Sequence, residues 1–300
     1  MNIIKPSFEI WEQEPGEQGI YRQVERAGRV CYKSENHQTA DSAWPFCERM
    51  IKSSHTAMLE HGTVYLTLDG NDGEQRKVAD HYRTNRFSRV KESGGKFFVT
   101  TNFRVLVENG WTDDLRFLTP PSPEHELRVT VHFTTQIAIT REYNRHRVNS
   151  MAEQSTRYCN YSKEKFGSEI AVCLPEWVRE AQEASPTNNA DQQSFMDLAA
   201  KVADGSATDL ENWRFANLAA ERSYLNLIAA GRRPQEARVV LPLDTLTELV
   251  HTAFITDWLH FFDLRALGTT GAPHPDAKAL AAPLYEEFRR RYPQYFEAAK

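Results

Sequence analysis

Apolar side chains recur along this chain at two periods, and the change from one to the other marks its elements. Trp44, Phe46, Cys47, Met50 and Ile51 fall at helical intervals and predict a helix over Ser42 to Ser54. His55 to Gly62 has the composition of a turn. Thr63 to Leu68 then alternates threonine with apolar residues and predicts a strand ending at Asp69-Gly70. Asn71 to Gly95 is polar and reads as a long excursion outside the core. Lys96 to Thr101 predicts a second strand, and Asn102 to Asn109 a helix stopped by Gly110. Leu127 to Phe133 alternates with period two and is the clearest strand, followed by a helix-like pattern over Thr134 to Tyr143. Cys159 to Lys163 is loop-like, and Glu169 to Leu174 predicts a short strand closed by Pro175. Beyond it, three- and four-residue spacing predicts helices over Asp191–Asp204, Asp209–Ala230 (capped by Gly231), Thr245–Leu264 and Pro283–Arg291, the last with proline at its start. No repeat or Pro/Gly/Ser linker divides the chain. The expected fold is therefore α+β: a single domain over 1–300, a β-sheet flanked by helices, and a mostly helical C-terminal half.

Composition narrows the function classes. With 300 residues, 40% hydrophobic, and a net charge of -5, the chain is an ordinary globular one that lacks a generally basic surface for nucleic acid. It has no run of eighteen apolar residues and no signal-like N-terminus, so a membrane partner is not expected and the cytoplasm is the default compartment. Cys31, Cys47, Cys159 and Cys173 lack CxxC spacing, which excludes a zinc motif or disulfide framework and leaves four free thiols. No acidic pair stands out for a metal. No GxGxxG, GxxxxGK[ST] or GxSxG occurs, so a bound phosphate must be held by arginines rather than a glycine-rich loop.

The densest chemistry lies in Arg145 to Tyr158, with Arg145, His146, Arg147 and Arg157 close to Glu153 and Ser155. Arginine forks suit phosphate or carboxylate, and histidine adds a titratable donor. If the preceding helix continued, Arg145, Asn149 and Glu153 would share one stripe and Arg147 would face away. Either the helix ends near Arg147, or these residues serve different ligands or subunits; a solvated basic helix end is the plain alternative. His61, beside Glu60 and Gly62 at the mouth of a strand, is either structural or placed for a ligand. A second cluster pairs Arg238, just before an apolar run, with a stripe of Phe254, Trp258, Phe261 and Arg265 and with His260 on its edge. It suits a flat polarised ring, or else an amphipathic core helix with a C-terminal cation.

Arg145-His146-Arg147, seven residues and then Ser155 form an RHRx7S signature, and by it the chain resembles the flavin-dependent thymidylate synthases. The resemblance extends to His61-Gly62-Thr63, Thr100-Thr101-Asn102, Ser155 to Lys163, Ala237 to Pro242 and His260 to Arg265. It implies conversion of dUMP to dTMP with 5,10-methylenetetrahydrofolate as carbon donor, FAD as hydride carrier and NADPH as reductant, in a homotetramer whose sites draw on several subunits. For FAD it implies Thr63, Arg145, His146, Arg147, Glu153 and His260, with His61 near the flavin. For dUMP it implies Glu142, Arg145, Glu153, Ser155, Thr156, Arg157, Arg238 and Arg265, with Arg265 stabilising charge on the pyrimidine. The chain departs from the family pattern at Glu142, where glutamine is common, and at Thr156, where glycine is. Phe254 and Thr256 replace polar flavin contacts, the Gln-x-Glu-Ile pattern after Arg265 is missing, and about 70–126 forms an insertion. A non-catalytic nucleotide- or RNA-binding protein would use the same arginines, but it gives no reason for His61, Glu153 and Arg265 to accompany them. A flavoenzyme of different chemistry is the nearer alternative.

Overall fold

The computed structural model describes residues 1–163, 167–184 and 193–296. The chain runs β1 (Asn2–Ile4), β2 (Ser7–Trp11), α1 (Gly16–Tyr32), α2 (Ala43–Lys52), a 3-10 turn (Thr56–His61) and β3 (Thr63–Asp69). Next come α3 (Gly73–Thr84), β4 (Arg89–Ser93), β5 (Lys96–Asn102), α4 (Phe103–Asn109), β6 (Arg128–Gln136), α5 (Ile137–Tyr143), β7 (Ser150–Glu153) and β8 (Ala171–Cys173). The remainder is α6 (Glu176–Ala184), α7 (Phe195–Asp204), α8 (Asp209–Ala229), α9 (Pro234–Ala237), β9 (Leu246–Phe254), α10 (Ile255–Phe262), a π-helical turn (Asp263–Leu267), α11 (Pro275–Arg291) and α12 (Pro293–Phe296). The α+β class and the largely helical C-terminal half hold.

The described strands form three sheets. An antiparallel four-stranded sheet has the order β2-β6-β9-β7, an antiparallel three-stranded sheet the order β3-β5-β4, and β1 pairs in parallel with β8. Val24, Phe46, Leu66, Val99 and Phe103 build one core between α1, α2 and the three-stranded sheet. Phe133, Trp258, Phe261, Phe262 and Phe288 build another between the four-stranded sheet and α10 and α11. Helix α1 contributes to both sides of the molecule, since Ala27 and Val30 pack with Trp11, Ala152 and Val250. Its close approach to the start of β3 requires glycine at Gly62, where a Cβ would lie 2.8 Å from Ile20 and Val24 side chains. His61 is thereby pressed against the sheets.

Several predicted elements form where expected. Asn102 caps α4 by accepting from the Val105 amide at 3.2 Å, and Gly110 ends it with φ of 71°. Others differ. The segment from Asn71 is no excursion: Asp72 caps α3 by accepting from the Glu74 and Gln75 amides, and Ala79 and Tyr82 are fully buried. Gly94 and Gly95, both at positive φ, turn β4 into β5 as a two-residue hairpin. Leu246–Phe254, expected as the start of a helix, is the buried strand β9, paired on both edges. Covered on both faces it loses period-two alternation, and Leu246, Leu249, Val250, Ala253 and Phe254 mimic helical spacing. Residues 134–136 continue β6, and α11 starts at Pro275 and carries Pro283 inside it, because Ala277, Leu280, Ala281 and Leu284 bury one continuous face. Asp191 lies outside the described residues; α7 begins after the capping box of Ser194 and Asp197. Strands β1 and β2 and helix α1 were not anticipated.

Tyr82 sits edge-on to Trp111 with ring centroids 5.1 Å apart and donates to Asp114 at 2.9 Å. Tyr82→Ala is expected to lower the unfolding free energy by about 3–5 kcal/mol in chemical denaturation. A loss below about 1 kcal/mol, the range of ordinary surface changes, would return this segment to the surface.

Candidate active site

The site grows from the register of β9. Thr252 stands opposite Thr130 of β6 on one edge and Ser150 of β7 on the other. The Thr130 and Thr252 hydroxyls are 2.8 Å apart, and His61 Nδ1 lies 2.8 Å from Thr252 Oγ1. His61 is fully buried and its Nε2 has no partner among the described residues. Burial first, then the Arg128 charge, push its pKa down to about 3, so the ring is neutral. Arg128 donates to the Glu60 carbonyl at 3.0 Å, Thr63 Oγ1 at 3.3 Å and Ser150 Oγ at 3.2 Å. All three acceptors are neutral, Nε is unpartnered, and burial pulls the guanidinium pKa down to about 10. Asn149 meets His251 Nε2 at 2.6 Å while its own Oδ1 is unpartnered.

Helix α5 stops at Tyr143, so the stripe of Arg145, Asn149 and Glu153 does not form. Residues 145–149 turn, and Ser150–Glu153 leaves as β7 because its backbone pairs with β9. Within the turn Arg145 and Arg147 are exposed, with no side-chain hydrogen bond or ion pair among the described residues, while His146 between them is buried. Arg145 and Arg147 thus leave a turn rather than a helix, and of the two only Arg147 lines a cavity described below.

His146 belongs to a cluster built by α5 and the π-helical turn. Arg265 donates from Nη1 to Glu142 Oε2 at 2.7 Å, from Nη2 to the Glu142 carbonyl at 2.8 Å and from Nε to His146 Nε2 at 3.3 Å. The His146 ring lies 5.6 Å from that of His260 and 5.0 Å from Phe261. Burial, then Arg265 and His260, lower the His146 pKa to about 4, which suits a ring nitrogen that accepts from a guanidinium. The anticipated aromatic stripe is divided: Phe254 ends β9, Trp258 and Phe261 enter the core, and Arg265 is carried out of the helix by the π turn.

Two cavities adjoin these residues. One of about 590 Å³ brings together Glu153, Ser155, Thr156, Arg157 and Arg238, and adds Arg141. Thr156 Oγ1 accepts from Arg238 at 3.1 Å; Glu153 accepts from Thr140 at 2.6 Å and Asn144 at 2.9 Å. Another of about 950 Å³ is lined by Arg147, Asn149, Ser150, Thr252 and Arg128. Glu142, Arg145, His146, His260 and Arg265 line neither, and Thr63 and His61 lie behind Arg128 and Thr252. Sequence reasoning missed Arg128, Arg141 and Thr252. The alternation Leu127-Arg128-Val129-Thr130 did carry a signal, since it places Arg128 and Thr130 on one polar face.

A family model described as thymidylate synthase complementing protein matches residues 108–294, more than half of the chain. Flavin-dependent thymidylate synthases of Thermosipho africanus and Thermosipho melanesiensis are 25% and 24% identical over 147 residues, 48% of this chain and 57% of each relative. The chain thus matches little more than half the length of these curated relatives. Crystal structures of the UMP/dUMP methylase PolB from Streptomyces cacaoi, bound with 5-Br dUMP or 5-Br UMP, cover 97% of this chain and 93% or 92% of their own. They do so at a TM-score of 0.42 and 16% or 15% identity.

His61 and His146 are neutral in the fold at pH values where an unfolded histidine, with a pKa of about 6.5, takes up a proton. The unfolded state therefore binds more protons below about pH 6.5, and stability falls as pH drops from there toward the folded values. Each such histidine contributes up to about 1.4 kcal/mol per pH unit. The slope of unfolding free energy against pH, measured between about pH 6 and 5, is expected to shrink by nearly one proton in His61→Gln. An unchanged slope would show that His61 is not held neutral.

Proposed function

This chain belongs to the thymidylate synthase complementing protein family, and from that premise we propose that it is a flavin-dependent thymidylate synthase, a methyltransferase that converts dUMP to dTMP. Its carbon donor is 5,10-methylenetetrahydrofolate, its reductant NADPH and its cofactor FAD. The observation that carries the reading is that Arg147 and Ser155 of the RHRx7S signature each line a cavity, Arg147 with no side-chain hydrogen bond or ion pair among the described residues. In the smaller, Arg141, Arg157 and Arg238 converge with Ser155 and Thr156, a donor set suited to a nucleotide phosphate. In the larger, Arg147 and the carboxylate-free Arg128, with the unpartnered Asn149 Oδ1, suit a phosphate-bearing ring system. That donor set fits FAD, held there by Arg147; Thr63, His61, Arg145, His146, Glu153 and His260, which the family resemblance adds to the flavin set, do not line this cavity.

When bound, the flavin supplies the hydride, so no activated cysteine is required. The thiols of Cys31, Cys47 and Cys173 fit this reading, since burial pushes each up to about 12 and away from the thiolate. Arg265 presents a guanidinium fixed by Glu142 and His146; negative charge developing on the pyrimidine is stabilised by such a fixed cation. Glu142 and Arg145 complete the dUMP set. We read the whole chain as one domain with an insertion at about 70–126, cytoplasmic and acting as a homotetramer. Exposed Val148, Val239 and Leu243, 71%, 79% and 54% accessible at the cavity rims, support a covering subunit. Neither a membrane nor nucleic acid is a partner in this reading; among the described residues no helix is long and apolar enough to cross a membrane.

Purified protein is expected to be yellow and to form dTMP from dUMP, methylenetetrahydrofolate and NADPH; a colourless protein that FAD cannot reconstitute would refute the reading. Arg265→Ala is expected to keep its flavin and lose nearly all dTMP formation, about 100-fold or more for a lost charge-stabilising donor. Near-normal turnover would remove Arg265 from the chemistry. Arg147→Ala is expected to lose FAD on dialysis while its melting temperature stays close to that of the unaltered protein.

A further inference from the structure

The segment after β3 reaches the larger cavity. The turn between α3 and β4 contributes Arg86, Phe87 and Arg89 to its wall, beside Arg128 and Arg147. This turn is braced: Asn85 Oδ1 accepts from the Phe87 amide at 2.9 Å, and buried Ser88 pairs with Thr101 at 2.8 Å. The backbone around Arg86 is thus fixed in advance.

The charges on the wall do not balance. Five lining arginines, Arg104 included, face three carboxylates, Glu60, Glu108 and Asp257. Arg104 takes up two of these, at 2.6 Å from Glu60 and 2.8 Å from Glu108. Arg89 lies 3.7 Å from Glu126 and rests 4.6 Å from the Phe254 ring centroid. Arg86 and Arg147 have no ion pair among the described residues, and Arg128 donates only to neutral acceptors. Over the lining side chains, five guanidinium groups against three carboxylates leave an excess of two positive charges. Phe87, 46% exposed with the Arg86 guanidinium 4.6 Å from its ring centroid, adds a flat apolar face at the same rim. A wall short of two negative charges and offering forked donors matches a diphosphate, which bidentate arginines recognise.

We propose that Arg86, acting with Arg128 and Arg147, binds the diphosphate of FAD, so that the segment 71–95 forms part of the flavin site. The proposal rests on the flavin reading above. It explains why a polar stretch is anchored by a capped helix and a hairpin: the fold holds one basic turn against the cavity.

The test uses the full chain and two ligands that share the ring system but differ in phosphate. FAD and riboflavin are titrated against the unaltered protein and Arg86→Ala, following flavin fluorescence. Arg86→Ala is expected to weaken FAD by about tenfold or more, the loss of one charge-assisted contact, to leave riboflavin binding unchanged and to keep its melting temperature. Arg86→Lys recovers part of the loss. If the unaltered chain binds neither flavin, the flavin reading falls and this proposal with it. If FAD binds and Arg86→Ala binds it equally well, only this proposal falls. Equal weakening of FAD and riboflavin overturns the diphosphate assignment, and so does a defect confined to the KM for NADPH, which would place the anion on the reductant.

Discussion

Strand β9 is hydrogen-bonded along both edges, to β6 over nine residue pairs and to β7 over four. That double pairing sets the positions of Thr130, Thr252 and Ser150 in one rung, and through them the hydroxyl contact to His61 and the guanidinium contact of Arg128. It also ends α5 early. A strand that must pair with β9 cannot continue a helix from Tyr143, so residues 145–149 have to turn, and a turn is what lets two arginines stay outside while His146 goes in. A one-residue slip in β9 would send Thr252 to the other face and break this rung.

The electrostatic arrangement follows from the same burial. His61, His146 and His251 are all driven toward neutrality by desolvation first. Nearby cations, Arg128 for His61 and Arg265 for His146, add to the effect rather than cause it. Neutral imidazoles can lie against guanidinium groups without repulsion, which lets the fold keep Arg128 and Arg265 charged close to ring nitrogens. Uncommitted hydrogen-bonding capacity remains on Arg147 and on Asn149 Oδ1 at the larger cavity, whereas Arg104 and Glu108 at the same rim satisfy each other.

The elements legible in the sequence were those whose signals are local. Asn102 and Gly110 announce α4 at both ends, Thr63–Leu68 alternates because one strand face meets a core, and the arginine turn is dense enough to stand out from composition. What could not be read was set by distant contacts. β9 resembles a helix because both of its faces are covered, and the pairing that makes it a strand comes from β6 and β7. The segment 71–95 looked like surface because α3 buries little more than Ala79 and Tyr82, although Asp72 and the Gly94-Gly95 turn did mark its elements. At the site, the family resemblance grouped Ser155, Thr156, Arg157 and Arg238, which line one cavity, whereas spacing placed Arg265 on an aromatic stripe that a π turn breaks. Arg128 lay in plain view inside a strand; only its neutral partners show that its charge is uncommitted.

The pairing of Glu142 with Arg265 gives the departure from glutamine a physical meaning. A neutral amide would leave the guanidinium charge free, whereas the carboxylate at 2.7 Å compensates it. The two side chains retain 16% and 30% of their exposure, so solvent screens their attraction, and its net worth is on the order of 1 kcal/mol. In the reading proposed above, a developing anion on the pyrimidine competes with an attraction of that size. The carboxylate also fixes the fork, through Nη1 to its own oxygen and Nη2 to its carbonyl, and leaves Nε to His146. Arg265 is therefore oriented before any ligand arrives. In the reading proposed above, the carboxylate trades some free charge at the pyrimidine for a guanidinium held in one place, and orientation is the part of electrostatic catalysis that a mobile cation lacks.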